Sequence, residues 1–337
     1  MSLKGYAALV GQVVDFRAEG GVDTPHFQVR VQAVGVDYRV AVNVLSQQSP
    51  PELLYLAVDD FRHPVLAALG ALPDGITEVP STSGGAALDY IRGNLFDRSD
   101  LRAMPATVPG PDNDLADSLG HFVERAMADT DARVYALGER WGPETAIPDK
   151  VFGFRPGNGV HDIHMNQGNN GPFVRDDGVW QDGGLLFHFP SADRWVAVFL
   201  AFQSQSWHTD DTTGHSLPGE PGPTPGPSDP HRRLRIVAAL VNGPGPAPEP
   251  ETVTLLNPGA AEVDLAGWAL ADRFNHQLMV PPLTLPAGEA VRVVLSPAVQ
   301  LGNKGGTITL LDPSGLKVDG VSYTADDAGL DGTTVVF

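Results

Sequence analysis

The 337-residue chain contains no cysteine. That absence excludes a disulfide scaffold, thiol catalysis and thiolate zinc sites. Basic residues are scarce: 22 Lys and Arg stand against 41 Asp and Glu, a formal net charge of −19. A mean field of that sign repels phosphate and anionic lipid, so nonspecific nucleic-acid binding is not expected. A local basic pocket can still hold one phosphate. No apolar run is long enough to span a bilayer. The start, "MSLKGYAALVGQVVDF", lacks the basic opening, long apolar stretch and cleavage site of a signal peptide, and a soluble cytoplasmic protein is expected. The GxSxG, P-loop and HExxH patterns are missing too.

What the chain does have is 42% hydrophobic residues, enough for a sizeable core, and a length that suggests two domains. Its 38 Gly and 30 Pro predict many turns and a β-leaning architecture. The clearest boundary is "HSLPGEPGPTPGPSDPHRR", with six prolines between Pro218 and Pro230. Such a composition cannot bury itself and reads as a semi-extended spacer over 215–233. It separates a first domain, 1–214, from a second, 234–337.

The second domain reads as short strands: "ETVTLLNPG", "VDLAGWALAD", "AVRVVLSP", "GTITLLDPSG" and "LKVDGVSYT", divided by Gly, Pro, Asn and Asp. That spacing favours a β-sandwich with Trp268 in its core and "NPG" and "DPSG" as turns. From Leu234 onward five Lys and Arg face eleven Asp and Glu, a net −6, so a basic nucleic-acid-binding face is missing. No catalytic constellation is evident there, and an adaptor role with an unknown protein or surface partner is expected.

In the first domain "YAALVGQVVDF", "HFQVRVQAV", "YRVAVNVLS" and "ARVYALGERWG" read as strands. "DNDLADSLGHFVERAMAD" reads as a helix capped by Asp112 or Asn113. Leu115, Leu119, Phe122, Val123, Ala126 and Met127 form its apolar stripe. The fold class is α+β, sheet-dominated, followed by an all-β immunoglobulin-like sandwich.

The densest polar stretch is "GVHDIHMNQGNNG", Gly159 to Gly171. If Val160 to Gln167 is a strand, Asp162, His164 and Asn166 share one face, and His161, Ile163, Met165 and Gln167 the other. A dry core would penalise the first row, which is therefore expected to line a wet pocket; an ordered polar loop is the plainer alternative. A metal site is the competing chemistry, because His161, Asp162, His164, Asp182, His188, His208, Asp210 and Asp211 crowd one fifty-residue block and imidazole with carboxylate suits divalent metals. His161 and His164 would point to opposite strand faces, however, and could not share an ion without a bulge. "YIRGNLFD" could bring Arg92 and Asn94 to a phosphate, but a turn held by an Arg–Asp pair is the simpler reading.

Three resemblances follow. The run from Val237 to Tyr323, through "VTLLNPG", "VDLAGWALAD", "LPAGEAVRVV" and "NKGGTITLLDPSGLKVDGVSY", resembles the lamin-tail domain, an immunoglobulin-like module. Residues 1–214 resemble the YukJ-like bacterial family through "YIRGNLFD", "GPDNDL", "ERWGPE", "KVFGFRPGNGVHDIHMNQGN", "WQDGGLLFHFP" and "FLAFQSQSWHTDD". That likeness implies kinship and carries no chemistry. More distantly, His26 to Ser49 and His164 to Ser206 look like a repeat, each with a His two residues before an amide, an Asp beside an Arg–aromatic pair, then "VAV" and a Ser/Gln tail.

The layout is similar to the two half-domains of the phospholipase D superfamily. This implies phosphodiester hydrolysis by His26 and His164, one attacking phosphorus and the other protonating the leaving oxygen. Gln28 and Asn166 stand where that family has lysines, which removes charge stabilisation that Arg39 and Arg194 would have to supply. The expected pocket therefore contains Gln28, Arg39, Asp162, Asn166, Gln167, Arg194, Gln203 and Gln205 around a small polar or phosphorylated ligand. No cofactor is expected, a divalent metal being the alternative. A binding module without turnover is the competing function.

Overall fold

The computed structural model describes residues 5–19, 26–45, 53–80, 82, 84–97, 100–103, 114–161, 183–202, 234–247 and 249–337. The first domain carries β1 (Tyr6–Ala18), β2 (His26–Ala33), β3 (Val36–Asn43), β4 (Leu53–Val58), α1 (Val65–Leu69), β5 (Gly75–Glu78), α2 (Tyr90–Gly93) and β6 (Arg102–Ala103). It continues through α3 (Asp114–Ala128), β7 (Arg133–Glu144), β8 (Gly157–His161), β9 (Gly183–Phe189) and β10 (Arg194–Phe202).

All ten strands join one sheet, and its long strands serve two structures at once. The N-terminal half of β1 pairs with β7, and its C-terminal half with β2. β2 pairs with β3, β3 runs parallel to β8, and β8 returns to β7. The ring β1-β2-β3-β8-β7 is thereby closed. A small five-stranded barrel with a helix inserted before its fourth strand matches the OB-type barrel in outline. On its other edge β7 pairs with β9, which continues through β10 and β4 to β6 as an open sheet.

Alternation explains how the shared strands feed two cores. Leu9, Val134, Ala136, Leu185, Phe187, Val196 and Val198 face the core that also receives α3. Their neighbours Ala8, Val10, Tyr135, Leu137, Leu186, Ala197 and Phe199 face the opposite one, under α1 and Leu88. Helix α3 buries Leu115, Leu119, Phe122, Val123 and Ala126 as its periodicity predicts, but Met127 is exposed and leaves the stripe. The cap residues Asp112 and Asn113 lie outside the described residues.

Gly159 is required by close approach: a Cβ there would collide with the backbone carbonyl of Arg39, so only glycine lets β8 lie against β3.

The second domain comprises β11 (Arg235–Leu240), β12 (Thr252–Leu256), β13 (Val263–Asp264), β14 (Ala269–Asp272), β15 (Gln277–Met279), β16 (Thr284–Leu285), β17 (Ala290–Val294), β18 (Gly305–Leu311), β19 (Lys317–Thr324) and β20 (Thr334–Val336). Two antiparallel sheets, β17-β12-β11-β20 and β15-β14-β18-β19, enclose a core containing Trp268, Leu270, Leu255, Ile308 and Tyr323. The expected turns hold through side-chain bonds. Asn257 Nδ2 donates to the Ala261, Leu285 and Pro286 carbonyls, and Asp312 Oδ1 accepts from Ser314 and Leu316 N–H.

The sandwich does not merely hang from a spacer; it is docked. Asn94, left-handed at the C-terminus of α2, donates through Nδ2 to Ile308 O and Thr309 Oγ1, both at 3.0 Å. Asp97 pairs with Arg235 at 2.6 Å, and Arg235 also reaches Asp319 at 3.6 Å. "YIRGNLFD" thus forms part of a seam between domains. Arg92 pairs with Asp89, the residue just before that motif, its Nε 2.6 Å from Asp89 Oδ2, whereas the motif's own Asp97 is taken by Arg235. Among the described residues no helix is long and apolar enough to cross a membrane.

Candidate functional site

At one rim of the barrel β2 begins and β8 ends, and the two strands deliver His26 and His161 to the same place. Their ring centroids stand 5.4 Å apart with planes inclined at 39°. His26 is buried and His161 half-buried. Glu19, just beyond the end of β1, accepts from the His26 backbone N–H at 3.3 Å, while its own N–H donates to His26 O at 3.0 Å. This clasp places Glu19 Oε2 3.7 Å from His26 Nδ1. A carboxylate beside Nδ1 favours the proton on that nitrogen and leaves Nε2 as the basic one. Asn43 lies opposite His26 across the β2–β3 pair, and Glu139 opposite His161 across β7–β8.

The partner that the structure gives His26 is thus His161, the histidine that sequence reasoning assigned to the other strand face from the pocket row. His164, Asp162, Asn166 and Gln167 lie outside the described residues, as do Asp182, Gln203, Gln205, His208, Asp210 and Asp211. The signal that would have found His161 is register. Parallel pairing of Arg39 with Gly159 and Val40 with Val160 carries the next residue of β8 toward the rim where β2 starts.

Gln28 and Arg39 bond to each other, and Arg39 to a third buried side chain. Arg39 Nε donates to Asp149 Oδ2 at 2.6 Å, and Nη1 to Gln28 Oε1 at 2.9 Å. The guanidinium also lies over Trp141, 4.8 Å from the ring centroid. All of Gln28, Arg39 and Asp149 are buried. Asp149 Oδ1 in turn accepts from Val151 and Phe152 N–H, so this network pins the 145–156 loop across the outside of the barrel. The same loop engages Arg17, which donates to Val151 O and lies over Phe152, and Arg30, which lies over Phe154 and pairs with Asp37.

Arg194 and His188 are corrected on distance. His161 is opposite Glu139 of β7, whereas His188 is opposite Arg133. Six residues of strand separate those positions, about 20 Å. His188 stacks on Trp195 at 4.2 Å, and its pKa is lowered by burial. Arg194, at that same far end, reaches Asp59 at 3.5 Å. His161 and His188 therefore cannot share an ion, and among the described residues no group of three or more His, Asp or Glu is arranged to hold one.

The proposed duplication becomes two unlike hairpins. β2–β3 belongs to the closed barrel with β8 beside it; β9–β10 belongs to the open sheet with β4 beside it. The shared pattern reflects hairpin chemistry, in which a polar turn precedes a "VAV" core strand. Among the described residues the first domain forms one ten-stranded sheet and not two matching halves.

Comparison with known proteins places this geometry in context. Residues 1–214 match the family described as Uncharacterized conserved protein (DUF2278), and residues 227–325 match the Lamin Tail Domain. A 214-residue stretch, 63% of the chain, is 45% identical to Uncharacterized protein YukJ of Bacillus subtilis (strain 168), covering 93% of that relative.

Proposed function

The chain belongs to the DUF2278 family through its first 214 residues, and we propose that it hydrolyses phosphodiesters by acid–base catalysis between His26 and His161. The observation that carries the reading is the imidazole pair at 5.4 Å with a carboxylate behind one member. In this scheme neutral His26 takes a proton from the attacking water as its oxygen bonds to phosphorus. Protonated His161 gives a proton to the leaving oxygen as the other P–O bond breaks. Proton transfer of each kind contributes roughly 10²–10⁴-fold.

The charges nearby set the substrate class. Arg39 is committed to Asp149, and Glu19 sits beside the pair. A singly charged diester therefore suits the rim better than a doubly charged monoester. The same commitment of Arg39 favours a second reading, a module that binds a polar ligand without turnover.

The test uses the full chain and bis(4-nitrophenyl) phosphate. His26→Ala and His161→Ala are each expected to lower kcat by about 100-fold or more, with melting temperatures close to the parent's and a bell-shaped pH profile in the parent. Equal rates in parent and His26→Ala would end the catalytic reading. Saturable binding without turnover would establish the second one. A stoichiometric divalent metal found by elemental analysis would replace both with metal chemistry.

A further inference from the structure

We propose that the seam between the two domains contains a binding site for a small oxyanion, a phosphate or carboxylate group, held by Arg273 and Thr307. A cavity of about 60 Å³ opens at this seam. His63, Gly84, Asp89 and Arg92 line it from the first domain, and Arg273 and Thr307 from the sandwich.

Thr307 is 6% exposed, and its hydroxyl has no hydrogen-bond partner. A buried hydroxyl left this way is costly unless something else satisfies it. Arg273 projects from the β14–β15 turn toward Gly84. It donates through Nη1 to Gly305 O at 3.3 Å and lies over Phe274 at 4.5 Å. Among the described residues no carboxylate pairs with it, in a chain that carries 41 acidic residues.

Of the other side chains around the cavity, Thr82 is exposed and the ionisable ones are already matched. Asp89 is balanced by Arg92. His63 accepts the Val65 N–H on Nδ1 at 3.0 Å, so its proton sits on Nε2, 2.7 Å from Gly93 O. Burial lowers its pKa to about 4, and the ring adds neither charge nor an open hydrogen-bonding atom near neutral pH. One guanidinium charge and one buried hydroxyl are left over. That pair suits an oxyanion, whose oxygens accept from the fork and from the hydroxyl. The volume admits an ion of a few heavy atoms and excludes a nucleotide, whose pockets span several hundred Å³. Because the two walls belong to different domains, an occupant would strengthen their docking.

The experiment titrates the full chain with inorganic phosphate, and separately with acetate, against chloride at constant ionic strength. Calorimetry and thermal unfolding are the readouts. Saturable binding with a rise in Tm is expected for at least one of the two, and the arm that binds identifies phosphate or carboxylate. Arg273→Met is expected to weaken it about tenfold or more. Thr307→Val, which removes the unpartnered hydroxyl at nearly constant volume, is expected to fold as well as the parent and to lose most of the response. No binding beyond chloride in either arm, or binding unchanged in both variants, would overturn the proposal.

Discussion

The ion pair of Arg39 and Asp149 decides whether the barrel has a cation to offer a ligand, so its strength is worth measuring. Asp149→Asn keeps an oxygen for the Val151 and Phe152 N–H groups but removes the charge that Arg39 Nε meets at 2.6 Å. Both partners are 4% exposed. Breaking a buried pair from one side typically costs about 3–5 kcal/mol, because the remaining charge is stranded. Asp149→Ala also strands two backbone donors and is expected to cost about 1–2 kcal/mol more. Arg39→Met removes the other charge but strands Gln28 Oε1. In the double variant Arg39→Met/Asp149→Asn no charge is left buried, and its destabilisation is expected to fall short of the sum of the singles by about 2 kcal/mol or more. Urea unfolding, followed by a probe confined to the first domain, gives all four corners of the cycle. A coupling below about 0.5 kcal/mol would refute the reasoning and return Arg39 to the list of ligand-binding candidates.

Two further outcomes test the sandwich and its docking. Glu251 has its pKa raised to about 7, chiefly by burial, with Glu249 and Asp272 adding to it. A carboxyl raised in the folded state is fully accommodated below its unfolded value of about 4.5 and loses stability as pH rises through 7. Glu251→Gln is therefore expected to gain on the parent between pH 4.5 and 7, by up to about 3 kcal/mol above that window, as read from chemical denaturation at several pH values; a gap that does not change with pH would contradict it. Gly320→Ala would drive a methyl into the Asn94 carboxamide. Calorimetry is expected to show the two domains unfolding at separate temperatures in that variant, and a single transition shared with the parent would show that the Asn94 contact does not couple them.

The strands were legible because their residues alternate and their breaks fall at Gly, Pro and Asn. β1, β2, β3, β7 and the sandwich strands appear where "YAALVGQVVDF", "HFQVRVQAV", "YRVAVNVLS", "ARVYALGERWG" and "GTITLLDPSG" place them. Helix α3 was legible for the same reason, apart from Met127 at the margin of the buried arc. The site was only half legible. Composition drew attention to the right stretch, and His26 does meet a histidine from it, but pairing between β3 and β8 chose His161. A parallel contact between strands more than a hundred residues apart leaves no local trace. The bonding of Arg39 was not legible, because an arginine near a candidate histidine looks available in sequence while its partner Asp149 lies 110 positions away. The seam was invisible for a similar reason, since Asn94 in a polar turn gives no hint of a partner strand over two hundred residues later.

In small barrels of the OB type, the outward surface of the second and third strands is a common platform for extended ligands. Here Arg30 and Arg39 project from that surface with Arg17 beside them on β1, and the 145–156 loop answers the three with Phe154, Asp149 and Phe152, while Trp141 of β7 covers Arg39. Positive charge interleaved with rings is the pattern by which such platforms grip single-stranded nucleic acid, yet this chain turns it inward and supplies its own imitation of a guest. Counting arginines on barrel strands would therefore mistake self-recognition for recognition of another molecule.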